Sequence, residues 1–390
     1  MHKAVISFII LFAFSISANS QNFPKLGNDT LLDVANWNIE WFGDASNGPT
    51  DEATQYANVK AMLEKTDMDV FGLEEISNAS TYNTLSIALG AKYDTYISGF
   101  SQTQKMGIYW KKSMFTLIPA QTFDIPLNSS DNFAFASRPP LQVCLQTLGG
   151  TKTDTIYFLI LHMKAYADQS SYDRRVSASV ALKSYLESTL AGKKYMVLGD
   201  WNDDLDQSIY NSLETPFKNF LNAKYTFPSK ELTDAGKSSY AFSVNMIDHQ
   251  LISKTLDSFY YQGSAKVFDD AANYCNGFSN NTSDHYPVYA YYNWKKLTTR
   301  VIPAGIENEV NAIRVQVYPN PANSMVQVHC DRVITASKMF DNLGRVIPID
   351  LNFSMNKQQV QFDIDTMEEG VYFLYTYSDD QVQITRLLKQ

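Results

Sequence analysis

The stretch Ser283-Asp284-His285-Tyr286-Pro287-Val288 sets a carboxylate and an imidazole directly before a run of apolar residues. Polar side chains of the same kinds end, or lie within, earlier apolar runs: Trp37-Asn38-Ile39-Glu40, Leu73-Glu74-Glu75, Leu161-His162-Met163, Leu198-Gly199-Asp200-Trp201-Asn202 and Ile247-Asp248-His249. A single Asp or Glu in such a place is usually a turn former or a helix cap. Their recurrence indicates one shared site, because ligands of open α/β sheets gather just outside strand ends.

Short apolar runs alternate with polar and helical stretches from residue 30 to residue 294. The predicted strands are rich in Val, Ile, Tyr, Phe or Leu and span residues 32–39, 69–73, 107–110, 141–148, 155–161, 195–198, 246–252 and 286–292. The predicted helices span residues 53–65 and 171–190. This alternation indicates an α/β or α+β domain built in layers.

The composition indicates a folded chain with more than one domain. A length of 390 residues exceeds the usual size of one domain, and 45% hydrophobic residues are ample for packed cores. The net charge of -9 argues against a protein that coats nucleic acid with a basic face. It does not exclude a nuclease, because metal-binding carboxylates themselves add negative charge.

The first twenty residues are predicted to be a signal peptide. Lys3 is followed by the apolar stretch 5–14 and then by Ala18-Asn19-Ser20. The alternative is a short membrane anchor, although a membrane span needs about 20 apolar residues. No later stretch reaches that length, so we expect no stable membrane insertion. We also expect a monomer.

The three cysteines, Cys144, Cys275 and Cys330, form neither a disulfide framework nor a zinc-binding spacing. Cys144 lies in an apolar run and is predicted to be a small buried hydrophobic residue. A Cys144–Cys275 bridge is the alternative.

The predicted organisation is a catalytic domain over residues 21–294, a linker over 295–310 and a smaller domain over 311–390. Pro303 and Gly305 lie in the linker. Beyond it, short strand-like runs alternate with turns such as Pro319-Asn320-Pro321, which favours a small β-sandwich.

The residue types at the strand ends fit the hydrolysis of a phosphodiester. Hard cations such as Mg²⁺ take oxygen ligands, which Glu40, Glu75 and Asp284 would supply. Histidines and asparagine amides can stabilise the charge that develops on an attacked phosphate. An attacking water needs a base, and His285 oriented by Asp248 would provide one.

The role of Asp200 remains open in this assignment. Asp200 is an alternative base, or the group that orients the nucleophile. Asp203 and Asp204 are expected to be ordinary solvated turn residues. Competing chemistries have less support, because the chain contains no Gly-x-Ser-x-Gly elbow, no phosphate-binding P-loop and no His-Glu-x-x-His motif.

Taken in order, these segments resemble the endonuclease/exonuclease/phosphatase superfamily, which includes deoxyribonuclease I, exonuclease III-type enzymes, neutral sphingomyelinases and inositol-polyphosphate 5-phosphatases. The resemblance spans roughly residues 32 to 293 and implies a four-layer α/β sandwich. It also implies a phosphoester hydrolase that uses Mg²⁺, or Mn²⁺ or Ca²⁺.

The resemblance also implies roles for the individual residues. The metal ligands would be Glu75, Glu40 and Asp284. The catalytic residues would be His285, Asp248, Asp200, His162 and Asn202. Phosphate or substrate would be bound by Asn38, Asn202, His162, Arg138 and Arg174, although both arginines could equally be solvated surface groups.

Two departures from the family pattern stand out. Glu74 occupies a position where glutamine is usual, which puts a second acidic group beside Glu75. His162 resembles the second histidine of the deoxyribonuclease I and sphingomyelinase branches, where a glutamate precedes it as partner in deoxyribonuclease I. The comparable stretch here offers Gln104 or Lys105 instead.

The last 75 to 80 residues resemble the C-terminal sorting domain of type IX secretion. The resemblance is carried by Tyr318-Pro319-Asn320-Pro321, Asp341-Asn342-Leu343-Gly344-Arg345, Glu369-Gly370-Val371-Tyr372-Phe373 and Arg386-Leu387-Leu388-Lys389. It implies recognition by a secretion machinery and export through the periplasm to a released or surface-attached state. The alternative is a β-sandwich retained for substrate binding.

The function that these observations favour is a secreted, divalent-metal-dependent endonuclease acting on extracellular nucleic acid. One alternative keeps the fold but changes the substrate to sphingomyelin or a small phosphate ester. The other is a catalytically silent binding module.

Overall fold

The computed structural model describes residues 22–298, 313–342, 344–378 and 381–390, which form two compact units that divide near residue 301. The predicted signal peptide and most of the predicted linker lie outside these residues. The linker was expected to begin at Lys295, but residues 295–298 belong to a helix, and Leu297 is buried in the core of the first unit. Among the described helices, none combines the length and apolar character needed to cross a membrane.

The described strands of the first unit are short and largely buried. In chain order they are β1 (Leu32–Phe42), β2 (Val70–Ile76), β3 (Tyr93–Ile97), β4 (Lys105–Lys111), β5 (Phe115–Leu117), β6 (Phe123–Asp124), β7 (Leu141–Thr147), β8 (Thr155–His162), β9 (Lys194–Asp200), β10 (Asp248–Ile252), β11 (Lys266–Val267) and β12 (Val288–Tyr292).

The described helices of this unit are α1 (Glu52–Thr66), α2 (Ala79–Leu89), α3 (Ser129–Ala134), α4 (Gln169–Ser188), α5 (Lys218–Asn222), α6 (Lys230–Asp234), α7 (Phe278–Asn281) and α8 (Trp294–Thr298). Side chains cap the longer ones at their starts, as Asp51 does for α1 and Asp168 for α4. Short 3₁₀ helices cover Pro119–Gln121, Asp257–Phe259 and Asp269–Asn273.

Two sheets face each other in the first unit. One has the strand order β11-β12-β1-β2-β4-β3, and the other has the order β10-β9-β8-β7-β5, with β6 paired to β7. Apolar side chains of both sheets fill the space between them, while α1 and α2 pack on the outer face of the first sheet and α4 and α5 on that of the second. Helices, two sheets and helices make the four-layer α/β sandwich that the resemblance implied.

The two sheets approach closely at Gly72 of β2. A Cβ atom at this glycine would lie 2.8 Å from Cδ1 of Ile160 on β8, so a larger residue would displace the end of the Ile160 side chain. The contact lies two residues before Glu74 on one strand and two residues before His162 on the other.

The predicted elements agree with the structure to within a few residues. Outside the predicted set lie β3, α2 and the last strand of the chain, together with the short strands β5, β6 and β11, two short strands at residues 346–347 and 352–353, and the short helices α3, α5, α6, α7 and α8. Cys144 is buried in β7, as expected. Cys144 and Cys275 are both free thiols, so the alternative of a bridge between them is not realised.

The second unit consists of two antiparallel sheets. Its described strands are β13 (Val315–Tyr318), β14 (Met325–Cys330), β15 (Ala336–Phe340), β16 (Val346–Ile347), β17 (Asn352–Phe353), β18 (Gln359–Asp363), β19 (Gly370–Ser378) and β20 (Gln381–Lys389). The sheets have the orders β13-β14-β18-β17 and β16-β15-β19-β20, and one apolar cluster joins them through residues such as Val326 and Leu374. This is the predicted small β-sandwich.

Asp33, near the start of β1, is a buried carboxyl at the end of the strand remote from Glu40. Burial and the neighbouring Asp69 raise the pKa of Asp33 to about 8. Its Oδ2 accepts the Asn28 N–H at 2.6 Å, while Oδ1 has no hydrogen-bond partner in the part of the chain that the structure describes.

Replacing Asp33 by asparagine should change how the stability of the first unit depends on pH. The folded state holds a proton on Asp33 up to a pKa of about 8, whereas the unfolded chain releases it near pH 4. The Asp33 contribution to stability is therefore complete below about pH 4 and is lost as pH rises towards 8, with a slope of at most about 1.4 kcal/mol per pH unit. Asp33→Asn should remove this slope.

Urea unfolding between pH 5 and pH 8, followed by tryptophan fluorescence, measures the effect. All five tryptophans belong to the first unit, so the signal reports on it alone. Asp94→Asn changes an exposed carboxylate and should keep the wild-type slope. Identical slopes for Asp33→Asn and wild type would contradict the assignment of this proton.

Candidate active site

The side chains that face the space between the sheets change from apolar to polar at one edge of each sheet. In β8 the inward series Ile156, Phe158 and Ile160 ends at His162, and in β9 the series Met196 and Leu198 ends at Asp200. Strand side chains alternate between faces, so these polar residues continue the buried face instead of pointing to solvent. In the other sheet, the same alternation places Asn38 of β1 and Glu74 of β2 on the inner face.

The directions of the strands bring these polar strand ends close together. β1 is parallel to β2 and β8 is parallel to β9, so the carboxyl ends of each pair share an edge. β10 and β12 run antiparallel to their neighbours, so Asp248 and the segment before Val288 reach the same edges from their starts. The two edges meet where Nδ2 of Asn38 donates to Oδ2 of Asp200 at 3.1 Å.

His285 is held by Asp248. The His285 Nδ1–H donates to Oδ2 of Asp248 at 2.8 Å, and both side chains are buried. The backbone around them is fixed to β1, because Ser283 Oγ donates to the Asn38 carbonyl and Trp37 Nε1 donates to the His285 carbonyl. Burial alone would lower the pKa of His285, but the charges of Asp248 and Asp200 raise it well above its usual range.

Asp200 and Asn202 form a fixed pair at the end of β9. Oδ1 of Asp200 accepts the Asn202 N–H at 2.8 Å, and Oδ2 accepts the Asn202 amide at 2.8 Å. Nε2 of His285 lies 3.8 Å from this Oδ2, too far for a direct hydrogen bond. Burial, opposed by the charge of His285, raises the pKa of Asp200 to about 7.

His162 is a buried imidazole between two carboxylates. Its Nε2 lies 3.6 Å from Glu75 Oε1 and 3.6 Å from Asp200 Oδ2. Burial and the nearby Arg138 hold the pKa of His162 well below its usual range, so the ring is neutral. Its Nδ1 has no hydrogen-bond partner among the described residues. Neither expected partner binds it: Gln104 accepts a hydrogen bond from Arg138, and Lys105 donates to the Phe100 carbonyl.

Glu40 and Glu75 reach the site through irregularities in their strands. The β1–β2 pairing shifts register between Asn38 and Phe42, and the β2–β4 pairing shifts between Leu73 and Ile76. Glu40, Trp41 and Glu75 all have positive φ, which non-glycine residues rarely adopt and which concentrates at functional sites. The bulges aim both carboxylates at the site.

Backbone donors hold these carboxylates in place. Oε2 of Glu75 accepts the Trp41 N–H at 3.0 Å, and Oε2 of Glu40 accepts the Asp284 N–H at 2.9 Å. Burial and the negative charge of Asp284 raise the pKa of Glu40 to about 7, and burial raises the pKa of Glu75. All three carboxylates remain partly open to solvent.

The chemistry of this donor set fits a divalent cation. Among the described residues, no lysine or arginine nitrogen lies within 4.0 Å of Glu40, Glu75 or Asp284, so these charges have no cationic side chain to balance them. Ligand atoms of Asp200, Asp248 and His285 also lie within 4.8 Å of one another. In that second group Asp248 holds the His285 ring and both oxygens of Asp200 accept hydrogen bonds, and all three residues are buried. Glu40, Glu75 and Asp284 are more open to solvent, so the first group is the better candidate for an ion.

Glu74 points into the sheet interface and is completely buried. Neither carboxyl oxygen has a hydrogen-bond partner in the described part of the chain. Burial, together with the charges of Asp248 and Asp200, raises the pKa of Glu74 well above its usual range. These surroundings favour the protonated, uncharged carboxyl group, which is similar in shape and charge to the glutamine that is usual in the family.

The two predicted arginines occupy different places. Arg138 is buried beside the site, where its guanidinium donates to the Met163 carbonyl and to Gln104, each at 2.7 Å. Arg174 lies on α4, beside α3, and donates to the Phe133 carbonyl. It also lines a groove of about 1020 Å³ between α3 and α4. Arg138 is thus the closer of the two to the acidic cluster.

The expectation that Asp203 and Asp204 are solvated turn residues is wrong. Asp203 is completely buried, accepts a hydrogen bond from Arg175 Nε at 2.8 Å, and also accepts from Ser208 Oγ. Asp204 is partly buried and accepts the Met246 N–H at 2.9 Å. Both carboxylates brace the loop after β9, a long-range role that a local sequence pattern does not reveal.

Tyr240 is a neighbour of the site that sequence reasoning missed. Its ring centroid lies 5.1 Å from that of His285, and the backbones of the two residues form a bridge. Burial and the charge of Asp284 raise the pKa of Tyr240 to about 12. The available signal was an aromatic pair among small residues, Ser238-Ser239-Tyr240-Ala241-Phe242-Ser243, just before the strand of Asp248.

Two family models match the chain. A model described as the Endonuclease/Exonuclease/phosphatase family matches residues 35–285, and a model described as a Secretion system C-terminal sorting domain matches residues 316–390. The first match contains all the predicted site residues. No curated protein sequence matches the chain.

Solved structures resemble the first unit at low sequence identity. A humanised TDP2 of D. rerio shares 12% identity, with 68% of this chain and 99% of that chain covered and a TM-score of 0.46. The catalytic domain of human Nocturnin with bound sulfate shares 14% identity, with 68% and 95% covered and a TM-score of 0.46. A mannosyl-6-phosphatase of Bacteroides thetaiotaomicron shares 14%, with 67% and 99% covered and a TM-score of 0.44.

Replacing Gly199 by alanine should separate β8 from β9 beside the site. Gly199 has φ +143°, and a Cβ atom there would lie 2.0 Å from the Leu161 carbonyl oxygen. We expect Gly199→Ala to lower the free energy of unfolding by about 2–4 kcal/mol. Gly192→Ala is the matched control, because Gly192 also has positive φ (+71°) but a Cβ there meets nothing within 4 Å. It should cost only about 1–2 kcal/mol. Equal costs in urea unfolding would contradict this account of Gly199.

Proposed function

We propose that this chain, which belongs to the Endonuclease/Exonuclease/phosphatase family, is an endonuclease that hydrolyses nucleic acid outside the cell. Family membership makes it a phosphoric ester hydrolase, and the type IX sorting domain at its C-terminus directs export, with release or attachment at the cell surface. We infer that residues 21–294 carry the activity, that residues 1–20 are a signal peptide, that 311–390 address the secretion machinery, and that the enzyme acts as a monomer.

One observation carries the proposal. His285 is oriented by Asp248 and faces Asp200 across a gap of 3.8 Å, while Glu40, Glu75 and Asp284 converge beside it without a lysine or arginine to balance them. A base, an oriented acceptor and a cluster of oxygen ligands are the groups that metal-assisted hydrolysis of a phosphoester requires.

Glu75, Glu40 and Asp284 would hold the metal, for which we propose Mg²⁺, with Mn²⁺ or Ca²⁺ as substitutes. When bound, such an ion would offset the negative charge of these carboxylates and polarise a phosphate oxygen. The partly open position of the three side chains leaves room for a substrate oxygen to approach.

His285 is the proposed general base. Because its Nδ1–H is donated to Asp248, Nε2 is the nitrogen that can exchange a proton with water. The neighbouring carboxylates raise the pKa of His285, and a bound cation that offsets their charge would favour the neutral ring, whose Nε2 can accept the proton. Asp200 Oδ2 already accepts the Asn38 and Asn202 amides, which fixes its position. We therefore assign Asp200 to orienting the attacking water and His285 to removing its proton.

His162, Asn38 and Asn202 are the proposed phosphate donors. The neutral His162 ring can donate through Nε2, and the two asparagine amides lie beside Asp200 at the same edge. Buried donors of this kind stabilise charge that develops on phosphate oxygens. Arg138 adds a buried positive charge behind His162.

A lipid headgroup is the second candidate substrate. The loop that carries Tyr240 also presents Phe242 and Val244, which are 61% and 84% exposed, close to His285. Exposed apolar residues beside an active site are one way in which enzymes contact a membrane surface.

A substrate panel tests the proposal. We expect the purified protein to cleave plasmid DNA or RNA with Mg²⁺, Mn²⁺ or Ca²⁺, and to lose that activity in EDTA because the acidic cluster no longer holds a cation. Sphingomyelin vesicles and small phosphate esters run in parallel should be poorer substrates. Intact DNA and RNA with all three ions, together with rapid hydrolysis of the vesicles, would replace the nuclease by the lipid candidate.

Substituting His285 by alanine should reduce the rate constant kcat by about 10²- to 10⁴-fold, because the general base is lost. His329→Ala, in the second unit, removes a histidine far along the chain and should leave kcat unchanged. Both variants are assayed on the preferred substrate of the panel at saturating metal. An unchanged rate for His285→Ala would refute the proposed mechanism.

A further inference from the structure

The segment after β8 presents an exposed tyrosine close to His162. Tyr166 is 71% exposed and follows His162 by four residues, so its Cα lies within about 14 Å of the His162 Cα. The ammonium of Lys164 lies 4.2 Å from the centroid of the Tyr166 ring, on one of its faces. A cation therefore covers one face of a ring that is otherwise open to solvent.

Tyr166 is held in an unfavourable backbone conformation. Its φ is +83°, which costs roughly 1–3 kcal/mol for a non-glycine residue. Nη1 of the buried Arg175 donates to the carbonyls of both Lys164 and Tyr166, at 2.8 and 2.9 Å, and Arg175 is itself paired with the buried Asp203. A buried ion pair thus fixes the loop and keeps the aromatic ring at the surface.

The start of the same loop is tied directly to the site. The carbonyl of Met163, between His162 and Lys164, accepts hydrogen bonds from Arg138 Nη2 at 2.7 Å and from Asn202 Nδ2 at 3.2 Å. The position of Lys164 and Tyr166 relative to the phosphate donors is consequently set by the fold.

A second ring with a cation on its face lies nearby on α3. Phe133 is 62% exposed, and the guanidinium carbon of Arg174 lies 4.2 Å from its centroid. Burial together with the charges of Arg174 and Arg138 lowers the pKa of Lys164, so the three cations act on one another. In the described part of the chain, none of them has a carboxylate oxygen within 4.0 Å.

The carboxylates of this region accept hydrogen bonds from neutral groups, and Asp168 acts on Lys164 and Arg174 only from beyond ion-pair distance. Asp168 accepts hydrogen bonds from the N–H and hydroxyl of Ser171 at the start of α4. Asp173 accepts from Gln169, and Asp131 accepts from Asn128. In a chain with a net charge of -9, Lys164 and Arg174 are partly exposed cations that remain available to phosphate groups, with the buried Arg138 behind them.

We propose that Tyr166 and Phe133, with Lys164 and Arg174, form a subsite that stacks the unpaired bases of a single-stranded nucleic acid beside the scissile phosphate. This inference rests on the nuclease activity proposed above and adds a preference for single-stranded over duplex substrate. The open face of each ring receives a base, and the cation on the other side faces the flanking phosphates. Bases within a duplex are already stacked on their neighbours and offer no free face.

A membrane surface fits this subsite less well. Insertion of either ring among acyl chains would draw its stacked cation out of water, which is costly for an unpaired charge. Stacking with a base leaves the same cation in contact with phosphate and solvent.

The test compares Tyr166→Ala/Phe133→Ala with wild type on three substrates: a single-stranded DNA oligonucleotide, the duplex of the same sequence, and methyl p-nitrophenyl phosphate. We expect KM for the single strand to rise about tenfold or more, with kcat within twofold, because stacking contributes binding to flanking bases and not to the reacting atoms. Kinetics on the small diester, which has no flanking nucleotide, should be unchanged. Tyr166→Phe should restore the binding that the ring supplies.

Tyr261→Ala is the matched control, since Tyr261 is 60% exposed in a different loop. An unchanged KM for the single strand in the double variant, or an equal rise in the control, would overturn the subsite. So would a loss of sphingomyelin-vesicle hydrolysis without a loss on the single strand.

Failure of the nuclease proposal has a separate signature. In that case the wild type hydrolyses the small diester but leaves both nucleic acids intact. Fluorescence anisotropy of the labelled single strand in EDTA then decides the subsite. Binding that weakens about tenfold in the double variant supports it, and no binding by wild type rejects it.

Discussion

The first unit depends on how the acidic side chains of its site find hydrogen-bond donors. Asp200 accepts the N–H of Asn202, Glu75 accepts that of Trp41, and Glu40 accepts that of Asp284. A carboxylate removed from water without such donors would be strongly destabilising. Each of these hydrogen bonds ties a carboxylate to a backbone N–H group. For Glu75 and Glu40, the N–H group belongs to a different segment of the chain. The same hydrogen bonds that make burial tolerable set the positions from which the acids can act on a substrate.

This arrangement explains why so much of the site could be predicted from the sequence. The alternation of inward residues in β8 and β9 places His162 and Asp200 at the end of apolar series, and both residues are where that pattern puts them. The bulges that aim Glu40 and Glu75 could not be predicted, because neither position carries the glycine that usually signals positive φ. Their conformation is imposed by tertiary hydrogen bonds and not by local preference.

Other features depend on partners distant in sequence. Asp203 follows the Asp200 motif as a turn residue would, yet it is buried in an ion pair with Arg175, 28 positions earlier in the chain. Gln104 binds Arg138 instead of His162, a choice that only the folded arrangement decides. Glu74 has the charge of its neighbour Glu75 in the sequence, but full burial leaves it neutral. The loops that bear Tyr166 and Tyr240 also depend on distant partners, and they are the parts that we propose select a substrate.

The close contact between Gly72 and Ile160 has a consequence for the evolution of this enzyme. Donors and acids are contributed by two separate sheets, so the width of the catalytic cleft depends on the spacing between them. The absent side chain at Gly72 lets Ile160 pack directly on the β2 backbone, two residues from Glu74 on one side and two from His162 on the other. Substrates of different width can be accommodated by new surface loops. The inner walls are more constrained, because a larger side chain at Gly72 would first have to displace the Ile160 side chain that packs between the two sheets.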